Sequence, residues 1–359
     1  MTSIEMIKNT KTKYLNEMKL PKDFESPYSF HKSMKDYKET PLYNLKSLSQ
    51  KLSVKSIYVK DESYRFGLNA FKGLGASYAL EKIIEKDKNL NYTFVSCTDG
   101  NHGKALAWRA QNLGYEAIIF MPKGSEERRV KAIEKYGAKV IVTDMNYDDT
   151  VRYASDFAKE NNYYLVQDTA LPGYTETPNN IVLGYTTMIR EALEQIEEKP
   201  THIFVQAGVG AMAGGVVWYL YNKYGDEMPY VGVIESSAVP CIYESVKENK
   251  TITIGGEPQT AMAGLNCGEA NLTTFPLLKS QSTFFIKCED EITFKGMDRA
   301  KNPEGDDISF SSGESGAVGL GFVEEVLSNK NYEEIKKQLE FDENSVILVF
   351  NTEGVVNGE

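Results

Sequence analysis

Apolar and polar positions along the chain fall into two series in which short apolar runs alternate with amphipathic helical patterns. In the first, β-like runs at 92–97, 117–121, 139–143 and 163–166 are separated by helical patterns at 103–113, 126–136 and 147–159. A long helical pattern at 180–198 leads to the second series. Its strands are expected at 202–206, 230–235, 282–287 and 346–350, with helices at 212–224, 240–249, 289–301 and 318–327. Strands alternating with helices in this way predict parallel sheets with right-handed crossovers. An earlier apolar run, 54–59, ends in a polar turn and is followed by a helix of small and apolar residues reaching to about position 88. This early unit is expected to rejoin the second series. The expected fold is therefore α/β with two domains, each a mainly parallel twisted sheet flanked by helices. Residues 1–88 and 173–359 would form the large domain, and 89–172 a small, mobile one. Residues 1–36 are mixed, with room for short helices.

Composition narrows the partners. A chain of 359 residues with 41% hydrophobic and 25% charged positions can bury a substantial core. The net charge of −11, with lysines interspersed among the acids, argues against a nucleic-acid partner. No apolar run approaches the roughly 20 residues a membrane span needs. The polar, lysine-rich start lacks the apolar centre of a secretion signal, so a cytoplasmic location with reduced thiols is expected. Four cysteines without Cys-x-x-Cys spacing and only three histidines predict no structural metal site. Cys241 and Cys267 stand either as thiols or as a pair, depending on whether the fold brings them together.

Ligands of such sheets sit beyond the carboxyl ends of the strands, and several glycine-containing polar motifs fall there. Lys72 follows the 54–59 run in the first turn of a helix rich in small residues. A lysine so placed is either a solvated helix residue or an amine that condenses with a carbonyl. Thr98-Asp99-Gly100-Asn101-His102-Gly103 follows the 92–97 run and opens a helix. It reads as an Asp-Gly turn with a cap, or as an anion site suited to a carboxylate, with Asp99 able to exchange a proton. His102 reads as a packing or capping residue before a general base. Asp168, in Gln167-Asp168-Thr169-Ala170, is a strand-end cap or a second acid–base group. The loop Gly208-Val209-Gly210-Ala211-Met212-Ala213-Gly214-Gly215 precedes a helix and suits a phosphate. It is not a dinucleotide fingerprint, because the position of the third glycine is Ala213, and it has no Gly-Lys-Ser/Thr of a nucleoside triphosphate loop. Gly313-Glu314-Ser315-Gly316 reads equally as a cofactor contact or a packing device. Thr352 directs a hydroxyl into the strand-end crevice or simply closes a turn.

Taken in order, Phe71-Lys72, Asp99 to Gly103, the 208–215 loop, Gly313 to Gly316 and Thr352-Glu353-Gly354 resemble the fold-type II pyridoxal phosphate enzymes, relatives of threonine dehydratase and tryptophan synthase β. The finer likeness is to the diaminopropionate ammonia-lyases. It is carried by Lys60-Asp61-Glu62-Ser63-x-Arg65-Phe66-Gly67-Leu68-Asn69-Ala70-Phe71-Lys72, by Thr98 to Gly103, by Gln167 to Ala170 and by Ala261-Met262-Ala263-Gly264-Leu265-x-Cys267-Gly268-Glu269. The likeness spans residues 37–354. It implies pyridoxal 5′-phosphate as cofactor, bound covalently by Lys72, with its phosphate cradled by Gly208, Val209, Gly210, Ala211, Met212 and Ala213. It further implies Asn101 at the phenolic oxygen and Thr352 at the pyridine nitrogen. Asp99 and Asp168 would be the acid–base pair, and Thr98, Asp99, Gly100, His102 and Asp168 the substrate contacts. The implied reaction is β-elimination of 2,3-diaminopropionate, on both stereoisomers, to pyruvate and two ammonia molecules, by an enzyme that is usually a homodimer. A serine or threonine dehydratase on the same scaffold and a non-catalytic binder of cofactor or amino acid are the alternatives. Asp99 favours the ammonia-lyase, since dehydratases carry a small or neutral residue there. The family ending Ser-Thr-Glu-Gly-Asp-Thr reads Asn351-Thr352-Glu353-Gly354-Val355-Val356 here, and the chain stops at Glu359, shorter than its relatives.

Overall fold

The structure, a computed structural model, describes residues 3–10, 22–86, 88, 91–98, 100–170 and 173–355. Its strands in chain order are β1 (Ile4–Lys8), β2 (Leu42–Asn44), β3 (Ser56–Asp61), β4 (Thr93–Cys97), β5 (Glu116–Met121), β6 (Lys139–Val142), β7 (Tyr164–Leu165), β8 (His202–Gln206), β9 (Tyr230–Ser236), β10 (Phe284–Cys288) and β11 (Val346–Asn351). They form a seven-stranded sheet, β1-β10-β9-β8-β11-β3-β2, and a four-stranded sheet, β6-β5-β4-β7. The four-stranded sheet is parallel throughout. In the larger sheet the five inner strands are parallel, and only the edge strands β1 and β2 run antiparallel. The inner strands β8 and β11 are buried at every position, as parallel strands covered by helices on both faces must be. Their unbroken apolar runs are what made them legible in the sequence.

The early strand does join the later series: β3 pairs with β11 from Ser56↔Val346 to Asp61↔Asn351. The last strand, despite its altered ending, lies in the middle of the sheet between β8 and β3. Near the start, the structure has β1 and a Glu25–Ser33 helix where only short helices were expected. Five residues of weak alternation carry no readable period, and β1 exists through its pairing with β10, from Ile4↔Cys288 to Lys8↔Phe284. The lysine helix spans Gly73–Ile84, ending before the expected position 88. Glu85 and Lys86, which follow its last apolar residue, Ile84, are polar and offer no apolar face to bury.

Two features hold that helix in place. It crosses the Glu176–Gln195 helix so closely that a Cβ on Gly184 would sit 2.5 Å from the Leu74 carbonyl oxygen, so only glycine fits there. Beneath its entry loop lies a buried charge cluster. Arg65 meets Glu62 (2.7 Å) and Glu191 (2.7 Å), and Lys60 meets Glu191 at 2.9 Å, all four side chains being fully buried. Lys60 also donates to the Thr40 carbonyl (2.8 Å) and to Gln195 (2.8 Å), so two cations and two anions are enclosed with their hydrogen bonds made. This is the role the structure gives to the charged half of the long Lys60–Lys72 motif.

Candidate active site

The entry loop ends on the last strand: the Phe71 amide donates to the Thr352 carbonyl (3.1 Å) and the Gly354 amide to the Asn69 carbonyl (3.1 Å). Lys72 is thereby fixed where the carboxyl ends of β3 and β11 open. Its ammonium lies 2.6 Å from Asp168 Oδ2, and over the rings of Phe71 (5.3 Å) and Tyr185 (5.9 Å). Burial works against the charge on Lys72, but Asp168, with Tyr185 behind it, reverses this and holds the amine above its ordinary pKa. Burial likewise pushes Asp168 up, and Lys72 and then His102 outweigh it, so the carboxylate is held below its ordinary range. The pair is a salt bridge in a largely closed space.

Around Lys72, one cavity is lined by Thr98, Gly100, Asn101, His102, Asp168, Gly208, Val209, Gly210, Ala211, Met212 and Thr352. Motifs separated by up to 280 positions in sequence thus meet at one place. Ala213 does not reach the wall; it is fully buried in the first turn of the Ala211–Tyr224 helix. Asp99 lies outside the described residues. The wall also contains Phe71, Arg129, Tyr147, Gln206, Ala207, Gly264, Leu265, Cys267, Ser315 and Glu353. Cys241 and Cys267 are both buried thiols.

The glycine loop is a cradle. The first bond inside its helix runs from the Gly214 amide to the Gly210 carbonyl (2.8 Å), so the N–H groups of residues 211–213 have no carbonyl of their own helix to bond. Gly210 sits at φ +88°, and a Cβ on Gly208 would meet the Gly264 carbonyl oxygen and Cys267 Sγ at 3.1 Å. The backbone can therefore close on an anion only because both positions are glycine. Asn271 braces this turn: its amide N–H donates to the Val209 carbonyl (2.7 Å), and its side chain donates to the Asp168 carbonyl (2.8 Å). One residue thus ties the cradle to the acid beside Lys72.

On the opposite wall, Gly100 adopts φ +149° at the start of the Asn101–Leu113 helix, with the Arg129 side chain 3.7 Å from where its Cβ would stand. Thr98 Oγ1 accepts from the Gly100 (2.9 Å) and Gly103 (3.2 Å) amides and so caps the turn. His102 Nε2 donates to the Val166 carbonyl (2.8 Å), which ties the helix to the strand end carrying Asp168. Burial depresses the His102 pKa, and the ring's bonding is structural. Asn101 donates its side-chain amide to Glu353 Oε2, while Glu353 Oε1 accepts from the Ser315 amide (3.0 Å). Glu353 therefore joins the two sheets across the cavity mouth.

A lysine able to condense with an aldehyde, a cradle of unpaired amides for a phosphate and a hydroxyl at Thr352 form a donor set that fits pyridoxal 5′-phosphate. The sequence profile of the family described as pyridoxal-phosphate dependent enzyme matches residues 34–330. The chain belongs to that family. Within it, the chain is 44% identical over 344 residues to the diaminopropionate ammonia-lyase of Escherichia coli K12, covering 90% of this chain and 86% of that protein. The chain belongs with these ammonia-lyases, and its fold is the fold-type II arrangement. The E. coli enzyme solved with an aminoacrylate–PLP azomethine reaction intermediate superposes with a TM-score of 0.93 at 40% identity, covering 99% of this chain and 94% of that one. The same enzyme solved in complex with D-serine superposes at 0.92, again at 40% identity and the same coverage.

Gln206, Asn271 and Glu353 are site residues to which no role of their own was assigned from sequence, whereas Ser315 belongs to the Gly313–Gly316 motif expected as a cofactor contact or a packing device. Glu353 sits beside Thr352 in a quoted motif, and Gln206 opens the glycine loop. Only the meeting of distant segments reveals what either side chain does. Asn271, in a stretch of turns, carries no local signal at all.

Proposed function

We propose that this protein eliminates the β-amino group of 2,3-diaminopropionate, from both D and L isomers, yielding pyruvate and two ammonia molecules. The observation that carries the reading is the Lys72–Asp168 pair, 2.6 Å apart, in a cavity whose other wall is the 208–212 amide cradle. Bound there, pyridoxal 5′-phosphate would supply an aldehyde that condenses with amines and a ring that accepts the electron pair left when Cα is deprotonated. Lys72 would hold the aldehyde, the 208–212 loop the phosphate, Asn101 the phenolic oxygen and Thr352 the pyridine nitrogen.

The chain's own residues account for the rest. Substrate carboxylate binds at the Thr98–Asn101 turn, where the start of the Asn101–Leu113 helix favours an anion. Asp168 and Asp99 provide a negative field for the substrate's second ammonium. One of them takes the Cα proton, while Lys72 or the other gives a proton to the departing nitrogen. The Cα–H and Cβ–N bonds break as the carbon–carbon double bond forms, and water then converts the released enamine, through its imine, to pyruvate and the second ammonia. Two carboxylates acting from opposite faces of the substrate would explain the use of both isomers. The residues of the four-stranded sheet close over the larger unit during turnover, excluding water. The protein acts in the cytoplasm as a homodimer; no described helix is long and apolar enough to cross a membrane.

The test is product formation from separate D- and L-2,3-diaminopropionate, serine and threonine. Pyruvate with two equivalents of ammonia from both diaminopropionate isomers, far above turnover of the hydroxy amino acids, supports the reading. Faster formation of pyruvate from serine, or oxobutyrate from threonine, makes it a dehydratase.

A further inference from the structure

Gln206 ends β8 in the middle of the large sheet and is 2% exposed. Its Nε2 lies 2.9 Å from the Ser315 carbonyl oxygen, 3.2 Å from that of Gly316, 3.0 Å from that of Phe350 and 3.1 Å from Thr352 Oγ1. Three of these neighbours are backbone carbonyls, which only accept. That end of the amide is therefore its NH2, and no flip can exchange it for the oxygen. Thr352 Oγ1 in turn is an acceptor toward Gln206, and its single hydrogen remains for a different partner. Thr352 stands in the cavity wall, 3% exposed. The opposite end of the Gln206 amide, Oε1, is buried with no hydrogen-bond partner among the described residues. The side chain is thus arranged around what its NH2 does, and its oxygen is left unmatched.

The geometry points to Gln206 as a positioning residue: it fixes the Thr352 hydroxyl as a donor into the cavity, so that the pyridine nitrogen of the cofactor stays an unprotonated acceptor. This rests on the reading that Thr352 faces that nitrogen. A hydroxyl free to rotate would instead either donate or accept, and an accepting hydroxyl would favour a protonated ring. Gln206 biases that choice: when its amide donates to the Thr352 oxygen, one of the two lone pairs there is taken and the single hydrogen is directed to another acceptor. The ring is kept neutral through a residue that need not touch it.

The experiment uses holoenzyme loaded with pyridoxal phosphate labelled with 15N in the ring, with the ring-nitrogen chemical shift as readout and thermal melting recorded alongside. Wild-type protein should show the shift of a neutral, hydrogen-bonded pyridine. Thr352→Val should move it toward an unbonded pyridine, and Gln206→Met should move it in the same direction or toward the protonated value. Gln206→Met in the Thr352→Val background should add no further displacement. If Thr352→Val moves the signal and Gln206→Met leaves it at the wild-type position, the inference on Gln206 fails while the placement of Thr352 stands; a lower melting temperature alone would then mark Gln206 as a structural brace. If Thr352→Val itself leaves the signal unmoved, the placement of Thr352 fails and takes the inference with it. Should Gln206→Met not fold, Gln206→Asn, whose shorter amide withdraws from Thr352 while staying polar, carries the same expectation.

Discussion

Glu191→Gln should destabilise the protein far more than its conservative chemistry suggests. Glu191 Oε1 accepts from Arg65 Nη1 (2.8 Å) and the Tyr37 hydroxyl (2.9 Å), and Oε2 accepts from Lys60 (2.9 Å) and Arg65 Nη2 (2.7 Å). Burial pushes the Glu191 carboxyl up, but Arg65 and then Lys60 overcome this and hold it well below the usual carboxylate range. Substituting glutamine turns one side of this group into a donor facing donors. Two cations are then enclosed with only Glu62 as counter-charge. Breaking a buried ion pair from one side costs about 3–5 kcal/mol. With an unfolding entropy of ~2.1 cal/mol/K per residue over 359 residues, about 0.75 kcal/mol/K, the melting temperature should fall by about 4–7 °C. Lys60 is the member against whose charge burial prevails, while Glu191 and Glu62 pull its pKa back up. Without Glu191 its pKa in the folded state drops further below the unfolded value. The unfolded variant then binds more protons than the folded one, so its stability rises with pH up to about 10. Calorimetry of both proteins at neutral pH and near pH 10 should show a large deficit that shrinks at the higher pH. A melting temperature within about 1 °C of wild type at neutral pH would refute the claim that this cluster holds the lysine loop.

Three further outcomes follow from single contacts. Gly214→Ala would place its Cβ 2.4 Å from Thr274 Cβ and Cγ2, so it should cost about 1–3 kcal/mol and weaken cofactor affinity in titrations, whereas Gly255→Ala, which meets nothing within 4 Å, should leave both unchanged. The Glu235 carboxyl is pushed up to about 8 by burial, against the pull of the Ile242 and Tyr243 amides it accepts from. Its contribution to stability is complete below an unfolded pKa of about 4.5 and is lost as pH rises through about 8, so urea midpoints of Glu235→Gln should fall less between pH 5 and 8 than those of wild type. Asp168→Asn and Asp99→Asn should each lower turnover of one diaminopropionate isomer by about 10²–10⁴-fold, read as pyruvate formed from each isomer; equal, slight effects on both isomers would remove their catalytic role.

The parallel core and the main cavity-lining motifs were legible in the sequence for a physical reason. Strands such as β8 and β11 are buried on both faces, and their continuous apolar runs end at polar turns that can only be where the sheet opens. Lys72, the Thr98–Gly103 turn and the glycine loop each carry local backbone chemistry, helix starts and positive φ, that their residue types announce. Side chains whose role depends on a distant partner were not legible. Gln206 acts on a hydroxyl 146 positions away, and Glu353 reaches back 252 positions to Asn101. The charges of Lys60, Glu62 and Arg65 read as a polar turn, and only the Glu191 carboxylate, on a helix 126 positions beyond Arg65, turns them into a buried cluster. Edge strand β1 was missed because its partner, not its sequence, makes it a strand.

Which amine holds the cofactor decides the chemistry assigned to every other residue of the site. Holoenzyme should be reduced with borohydride, digested and sequenced by mass spectrometry. A phosphopyridoxyl group is expected on Lys72, and none on Lys104, a lysine on the Asn101–Leu113 helix whose pKa is depressed by burial. Modification at Lys104, or none at Lys72 in protein that carries bound cofactor, would contradict that assignment.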